Sequence, residues 1–136
     1  MGISKFNTER YYDPTAHEAV NNVEKEIRKW RPVVYICSPY SGSVEDNTEK
    51  ARRYCRFAVN QGVIPLASHL LFPQFMSETN ERALALHMGA VLMGMCKQVW
   101  VFGDKITPGM DSEIRKAKWK RMPIRYFTED CKEKTK

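Results

Sequence analysis

The sequence lacks the features that would place the chain in several large classes of protein. Its 136 residues contain no apolar run near the ~20 residues of a membrane-spanning helix. The first twelve residues are polar, without the apolar segment of a secretory signal peptide. Its four cysteines include no closely spaced pair, which argues against a zinc site, and Cys37 and Cys96 are predicted to be buried thiols. We therefore expect a protein of the reducing cytoplasm with no membrane partner.

Motifs that hold common cofactors are missing as well. The sequence has neither a GxGxxG dinucleotide fingerprint nor a GxxxxGK[ST] phosphate loop. Its three histidines form no Ser/His/Asp arrangement that spacing can support, and no His/Glu pair at metal-ligand spacing. His17 is predicted at a helix surface and His87 within an apolar helix. We expect no cofactor and no metal.

The net charge of +6 comes mostly from the end of the chain, where residues 116–136 hold eight basic and three acidic residues. A solvated helix face followed by a basic tail is one interpretation. A more specific interpretation is that the basic residues attract a ligand that carries phosphate. Nucleic acid is not an expected partner, because no recognised binding motif accompanies the charge.

Short apolar runs alternate with helical patterns along the chain. β-branched and aromatic runs predict strands at 33–37, 63–67, 99–102 and 123–127. Apolar periodicity predicts helices at 16–30, 44–61, 80–95 and 108–120. Fully apolar strands in this alternation predict an α/β, flavodoxin-like or Rossmann-like three-layer sandwich, with a four-stranded parallel sheet in the order 2-1-3-4. Residues 1–30 are predicted to be an N-terminal helical extension and residues 31–136 the domain.

The helix predicted at residues 80–95 is apolar on nearly every side, which is more than one buried face requires. It predicts a homo-oligomer that buries this helix between copies. The alternative is a helix enclosed within a single domain. Its apolar residues include Leu84, Leu86, Met88, Val91, Leu92, Met93 and Met95.

In such a sheet, ligands bind at the carboxyl ends of the strands, near the point where the strand order reverses. Three loops are predicted to meet there, at residues 38–43, 68–79 and 103–109. The second supplies His69, either a ligand contact or a hydrogen-bonded structural residue. The first supplies residues that suit a pocket for a sugar or phosphate, or else an ordinary turn: Ser38, Tyr40, Ser41 and Gly42.

The third loop joins a strand end to a helix start, where free N–H groups and the helix dipole point at one spot. Asp111 and Glu113 are two residues apart, so they point to different sides of the helix, and Asp111 can pair with Arg115. Glu113 is either a nucleophile for an anomeric carbon or a helix-start charge worth about 0.3–1 kcal/mol. The candidate residues of this loop and helix are Gly103, Asp104, Thr107, Gly109, Met110 and Glu113.

Taken together, these segments resemble small bacterial and phage proteins described as nucleoside 2-deoxyribosyltransferase-like domains of unknown function. The likeness covers residues 32–127. It is more remote to the characterised deoxyribosyltransferases and deoxynucleoside-monophosphate N-glycosidases, where it depends on the fold order, the aromatic residue of the first loop and a Gly-x-x-x-Glu pattern matched by Gly109 and Glu113. The likeness is carried by Tyr35–Ile36–Cys37–Ser38–Pro39–Tyr40–Ser41–Gly42, Asn47, Gly62–Val63–Ile64–Pro65, Ser68–His69–Leu70, Glu81–Arg82, Trp100–Val101–Phe102–Gly103 and Thr107–Pro108–Gly109–Met110–Asp111–Ser112–Glu113.

The resemblance implies roles for individual residues. Glu113 would be the nucleophile on C1′ of a 2-deoxyribosyl group, Thr107 and Gly109 would contact the sugar 5′ end or its phosphate, and Tyr40 would line the pocket. It also implies a homo-oligomer in which neighbouring subunits complete the site. The active enzymes carry an Asp that falls near Gly89 here, so the acid is missing or is supplied by Asp104 or Glu81.

The leading hypothesis is therefore cleavage or transfer of the N-glycosidic bond of a nucleoside or nucleotide. A second hypothesis is a non-catalytic protein that binds a nucleotide-like ligand. A third is a structural phage or accessory protein.

Overall fold

A computed structural model describes residues 14–135, with side chains from residue 19 onward. The chain divides into two compact units, Met1–Trp30 and Arg31–Lys136. In the first, helix α1 spans Pro14–Ile27, and Arg28 forms an ion pair with Glu24, one turn earlier. The side chain of His17, predicted at a helix surface, lies outside the described residues.

The second unit alternates strands and helices, close to the predicted boundaries. Residues 68–79, predicted as a loop with room for a short helix, contain such a helix and, directly after it, a 3-10 turn at Phe72–Gln74. The elements are β1 (Val33–Cys37), α2 (Val44–Asn60), β2 (Ile64–Leu66), α3 (Ser68–Leu71), α4 (Arg82–Gly94), β3 (Gln98–Phe102), α5 (Pro108–Trp119) and β4 (Ile124–Phe127).

The four strands form one parallel sheet in the order β2-β1-β3-β4. This confirms the predicted fold class and strand order. The order reverses between β1 and β3, because the chain first adds β2 on one side of β1 and then crosses to the other side. The first crossover turns sharply after α2 at Gly62, whose φ of +86° favours glycine.

Alternate residues of the central strands point to opposite faces of the sheet. On one face, Tyr35 and Cys37 of β1 pack with residues of α4 and α5, such as Met93 and Ile114. On the other face, strand residues pack against α2, where Tyr54 stacks on Phe102 with ring centroids 4.4 Å apart. Both faces of the sheet are therefore covered, which explains why its strands are apolar throughout. The strand residues of the second face are Val34, Ile36, Trp100, Phe102 and Phe127.

Helix α4 buries little of its apolar surface. Only Gly89 and Met93 are buried along its 13 residues, while Leu84, Leu86 and Val91 are 49%, 53% and 50% exposed. Exposed apolar residues on successive turns of one helix are unusual for a surface that faces only water. Among residues 14–135, no helix is both long and apolar enough to cross a bilayer.

Candidate functional site

A cleft opens where β1 and β3 end and where α4 and α5 begin. Its cavity volume is about 150 Å³, and its mouth is open to solvent. It lies at the carboxyl ends of the strands on either side of the point where the strand order reverses. Its lining residues are Ser38, Tyr40, Ser41, Ser68, His69, Phe72, Pro73, Met76, Ser77, Glu78, Arg82, Ala85, Leu86, Thr107, Gly109, Met110 and Glu113.

The cleft brings together most of the site residues predicted from the sequence. Eight of them line it: Ser38, Tyr40, Ser41, His69, Thr107, Gly109, Met110 and Glu113.

Three predicted residues, Gly42, Gly103 and Asp104, are not among the lining residues. The side chain of Asp104 is 66% exposed, and its carboxylate lies 3.9 Å from the ammonium group of Lys134. That ammonium group also donates a 2.7 Å hydrogen bond to the carbonyl of Gly103. The backbone and acidic side chain of this loop are thus held by the end of the chain.

Helix α5 presents Glu113 to the cleft because of the way the helix begins. Thr107 is the N-cap, and its hydroxyl accepts a 3.2 Å hydrogen bond from the backbone N–H of Met110. Pro108 follows in the first turn, where its missing N–H costs nothing. Met110 and Ile114 are buried, and Glu113, three residues after Met110, lies at the edge of this inward-facing side. Asp111 points away and forms a 2.9 Å ion pair with Arg115, as predicted.

Two side chains of β1 donate hydrogen bonds to the Glu113 carboxylate. The Tyr35 hydroxyl donates to Oε2, and the Cys37 thiol donates to Oε1 at 3.4 Å. Because the only proton of the Tyr35 hydroxyl goes to Glu113, the Ser68 hydroxyl donates to the Tyr35 oxygen, at 2.7 Å. We call Glu113, Tyr35, Cys37 and Ser68 the carboxylate cluster. It holds both carboxylate oxygens in a fixed orientation.

Position 89 of α4 faces this cluster. A Cβ atom built on Gly89 would lie 3.3 Å from Ser68 Oγ and 3.6 Å from the Tyr35 hydroxyl. A larger side chain at this position would therefore press on the groups that hold Glu113.

Burial raises the pKa of Glu113 above its ordinary value, and the hydrogen bonds from Tyr35 and Cys37 and the charge of Lys116 act against that rise. Burial, with the nearby Glu113 charge, also raises the pKa of Tyr35 and of Cys37. At neutral pH the phenol and the thiol therefore keep their protons and act as donors. They favour the ionised form of Glu113, which is the form that can attack a carbon atom.

This shift predicts how Glu113 changes stability with pH. The pKa of Glu113 is higher in the folded chain than the value of about 4.3 for an unfolded Glu. As pH rises from below that value through the folded-state pKa, the unfolded chain loses its proton first, so the free energy of unfolding falls. Glu113→Gln cannot titrate. As pH rises through this range, we expect the melting temperature of Glu113→Gln to increase relative to that of the wild type. Above the folded-state pKa, the difference between the two should stay constant.

Thermal unfolding of both proteins from about pH 3.5 to 8 measures this difference, with pH 3.5 chosen to lie below the ordinary Glu pKa. A difference that does not change with pH would show that Glu113 has the same pKa in the folded and unfolded chains.

A second polar pair lies beside the carboxylate cluster. Ser38 Oγ is 2.9 Å from His69 Nε2, and the rings of His69 and Tyr40 are 6.0 Å apart. Burial lowers the pKa of His69 to about 4. Burial and the hydrogen bond with Glu78 raise the pKa of Tyr40 to about 12. Both rings are therefore uncharged near pH 7.

Sequence analysis did not name several residues of the carboxylate cluster and the cleft as site residues. One signal for Tyr35 was present: a hydroxyl within an otherwise apolar strand requires a buried partner. The wall formed by Phe72, Met76 and Glu78 had no comparable signal, since it belongs to a segment predicted to be a loop. Among residues 14–135, no group of three or more His, Cys, Asp or Glu residues is arranged to hold a metal ion.

The sequence model of one protein family, a domain of unknown function (DUF7768), matches residues 32–127. The match covers most of the chain and the elements β1 to β4, so the chain belongs to this family. The comparison with curated proteins finds no match.

Proposed function

We propose that this member of the DUF7768 family cleaves or transfers the N-glycosidic bond of a nucleoside or nucleotide, with Glu113 as the nucleophile. The observation that carries the proposal is the carboxylate cluster: Glu113 lines the cleft while Tyr35 and Cys37 fix its two oxygens. A carboxylate in that state can attack C1′ of a 2-deoxyribosyl group and form a glycosyl ester, which water or a second base then resolves.

The other walls of the cleft fit the parts of such a substrate. Thr107 and Gly109 lie at the start of α5, where a sugar 5′ end or its phosphate can meet backbone N–H groups. Tyr40 and Phe72 supply aromatic surface for a base, and Ser41 supplies a hydroxyl for the sugar. This proposal agrees with the resemblance to the deoxyribosyltransferase-like proteins.

Neither acid that the sequence offered in place of the one expected near Gly89, Asp104 or Glu81, lines the cleft. Gly89 faces the carboxylate cluster, but it carries no acid. Asp104 is outside the lining residues, and Glu81 is also outside them and accepts a 2.9 Å hydrogen bond from the Ser77 N–H. This observation favours a second candidate function: a protein that binds a nucleotide-like ligand without turnover.

One screen separates the two functions. Deoxynucleosides and their 5′-monophosphates are incubated with the protein, and both free base and the shift in melting temperature are measured. Base release supports the enzyme. A thermal shift without base release supports the binding protein. If neither is observed with any compound, both proposals are wrong.

We also propose that the chain forms a homo-oligomer through the outer face of α4. Leu84 and Val91 are exposed on the side of the helix away from the buried Gly89 and Met93, and Met95, just after the helix, is exposed as well. A second copy on this face would bury the apolar surface.

Replacing Val91 with Lys should therefore convert an oligomer into a monomer, because a buried unpaired charge is costly. Light scattering at micromolar concentration measures the mass of each protein. The control is Val59→Lys, an exposed valine of α2, which should leave the mass unchanged. A wild-type mass of one chain would contradict the proposal.

A further inference from the structure

The hydrogen bond between Ser38 and His69 has no part in holding Glu113, yet both residues line the cleft. Ser38 is only 6% exposed, so its hydroxyl is a fixed partner of the imidazole. The bond uses Nε2 of His69, which leaves Nδ1 available to a ligand. No fully buried side-chain nitrogen or oxygen among the described residues lacks a partner. No partner for Nδ1 is seen among the described residues, and His69 lines the cleft, so we infer that a ligand in the cleft can reach this nitrogen.

The pair lies next to the carboxylate cluster for a simple reason. Cys37 and Ser38 are consecutive, and so are Ser68 and His69; the first member of each belongs to the cluster, and the second forms the Ser38–His69 bond. Consecutive Cα atoms are about 3.8 Å apart. Glu113 and His69 line the same cleft, so a substrate whose anomeric carbon is at Glu113 can hold its leaving base against the imidazole.

The protonation of His69 determines what it can offer. Near pH 7 the ring is neutral, since burial lowers its pKa to about 4, and a neutral imidazole carries one N–H. When the Ser38 hydroxyl donates to Nε2, that N–H is on Nδ1 and faces the cleft. The other groups at this wall are the Tyr40 phenol, the Glu78 carboxylate and the Arg82 guanidinium. Tyr40 is occupied with Glu78.

We propose that His69, held by Ser38, is a catalytic residue that donates a hydrogen bond to the departing base and stabilises its negative charge. This inference rests on the proposed function. A neutral donor of this kind supplies what an acid at position 89 would otherwise supply. Ser38 is the positioning residue, because its buried hydroxyl holds Nε2 and so fixes the orientation of the ring.

The electron and proton balance needs only water as a co-reactant. A Glu113 oxygen forms a bond to C1′ as the C1′–N bond breaks, and its electron pair leaves with the base. The base anion, bound to the His69 N–H, takes a proton from water. The resulting hydroxide attacks C1′, which releases the sugar and restores the Glu113 carboxylate.

The test compares substrates with the same sugar and different leaving groups. For purines, 2′-deoxyguanosine is compared with 7-methyl-2′-deoxyguanosine, whose base leaves as a neutral molecule. For pyrimidines, 2′-deoxyuridine is compared with 5-fluoro-2′-deoxyuridine, whose base is the better leaving group. All four are also measured as 5′-monophosphates, after subtraction of uncatalysed base release. The measured quantity is kcat/KM.

We expect His69→Ala to lose about 100- to 1000-fold on the poor leaving groups, as for loss of one preorganised donor. On 7-methyl-2′-deoxyguanosine the loss should stay below about tenfold, or ~1.4 kcal/mol. His69→Gln keeps an N–H donor and should recover part of the rate on the poor leaving groups. Val59→Ala, on the exposed side of α2, should match the wild type on every substrate.

Equal losses on good and poor leaving groups, in a His69→Ala protein that still melts like the wild type, would overturn the role of His69. The proposed function would stand in that case if Glu113→Gln remained inactive on both members of a pair. If the wild type releases no base from any of the eight compounds, the proposed function and this inference are both wrong.

Discussion

Glu113→Gln is expected to reduce base release by more than about 1000-fold, since loss of a nucleophile removes the covalent step itself. The amide keeps the shape of the carboxylate and can still accept the hydrogen bond from Tyr35, so the folded state should survive. Affinity for a deoxynucleoside or its product base should stay within about tenfold. Glu113→Ala should be equally inactive but less stable, because it leaves the Tyr35 and Cys37 donors without their partner, at about 1–3 kcal/mol.

The matched control for Glu113 is Asp111→Asn, on the same helix. Asp111 is about half exposed and its partner is Arg115, so an exposed ion pair worth about 0–1 kcal/mol is all that is lost. Its turnover should equal that of the wild type. Base release is followed by chromatography and affinity by calorimetry. If Glu113→Gln and Glu113→Ala keep wild-type turnover, Glu113 is only a helix-start residue, and the proposed mechanism is wrong.

Tyr35→Phe is expected to lower kcat/KM by about 10- to 100-fold. The substitution removes one hydrogen bond to a charged group, worth about 1.5–3 kcal/mol, and frees the carboxylate to rotate. It also changes the pH profile. The Tyr35 hydrogen bond lowers the pKa of Glu113, so its loss lets that pKa rise further. The acid limb of the kcat/KM profile should therefore move to higher pH.

Tyr54→Phe is the matched control for this prediction. Tyr54 is as buried as Tyr35, but it packs on the other face of the sheet, against Phe102. Its loss of a hydroxyl should leave both the rate and the acid limb unchanged. An acid limb at the same pH in Tyr35→Phe and the wild type would mean that Tyr35 does not tune Glu113.

The order of the helices and strands and the topology of the sheet could be predicted from the sequence alone. Four apolar runs separated by amphipathic helices can be buried on both faces only in a parallel sheet with helical crossovers, and the structure has that sheet. The start of α5 could also be predicted, because the Thr107 side chain and Pro108 both act on backbone positions of the same helical turn. The position of Glu113 two turns later followed from that start.

The carboxylate cluster could not be predicted from local sequence patterns. Tyr35 and Glu113 are 78 residues apart along the chain, and Tyr35 and Ser68 are 33 apart. Their contacts depend on the distances from α3 and α5 to β1. The sizes of the side chains packed between these elements set those distances. Gly89 contributes to that approach: it is where α4 comes close to Ser68 and Tyr35. No local pattern encodes such a distance.

The hydrogen bond between Ser38 and His69 could not be predicted from the sequence either. Ser38 and His69 each had an ordinary local interpretation, as a turn residue and as a residue after a strand. Only the packing of α3 beside the end of β1 joins them at 2.9 Å, and only burial of the ring lowers the pKa of His69 to about 4. Residue type and spacing determined which side chains reach the carboxyl edge of the sheet. Tertiary packing decided which of them touch and which protons they hold, because both depend on distance and on exclusion of water.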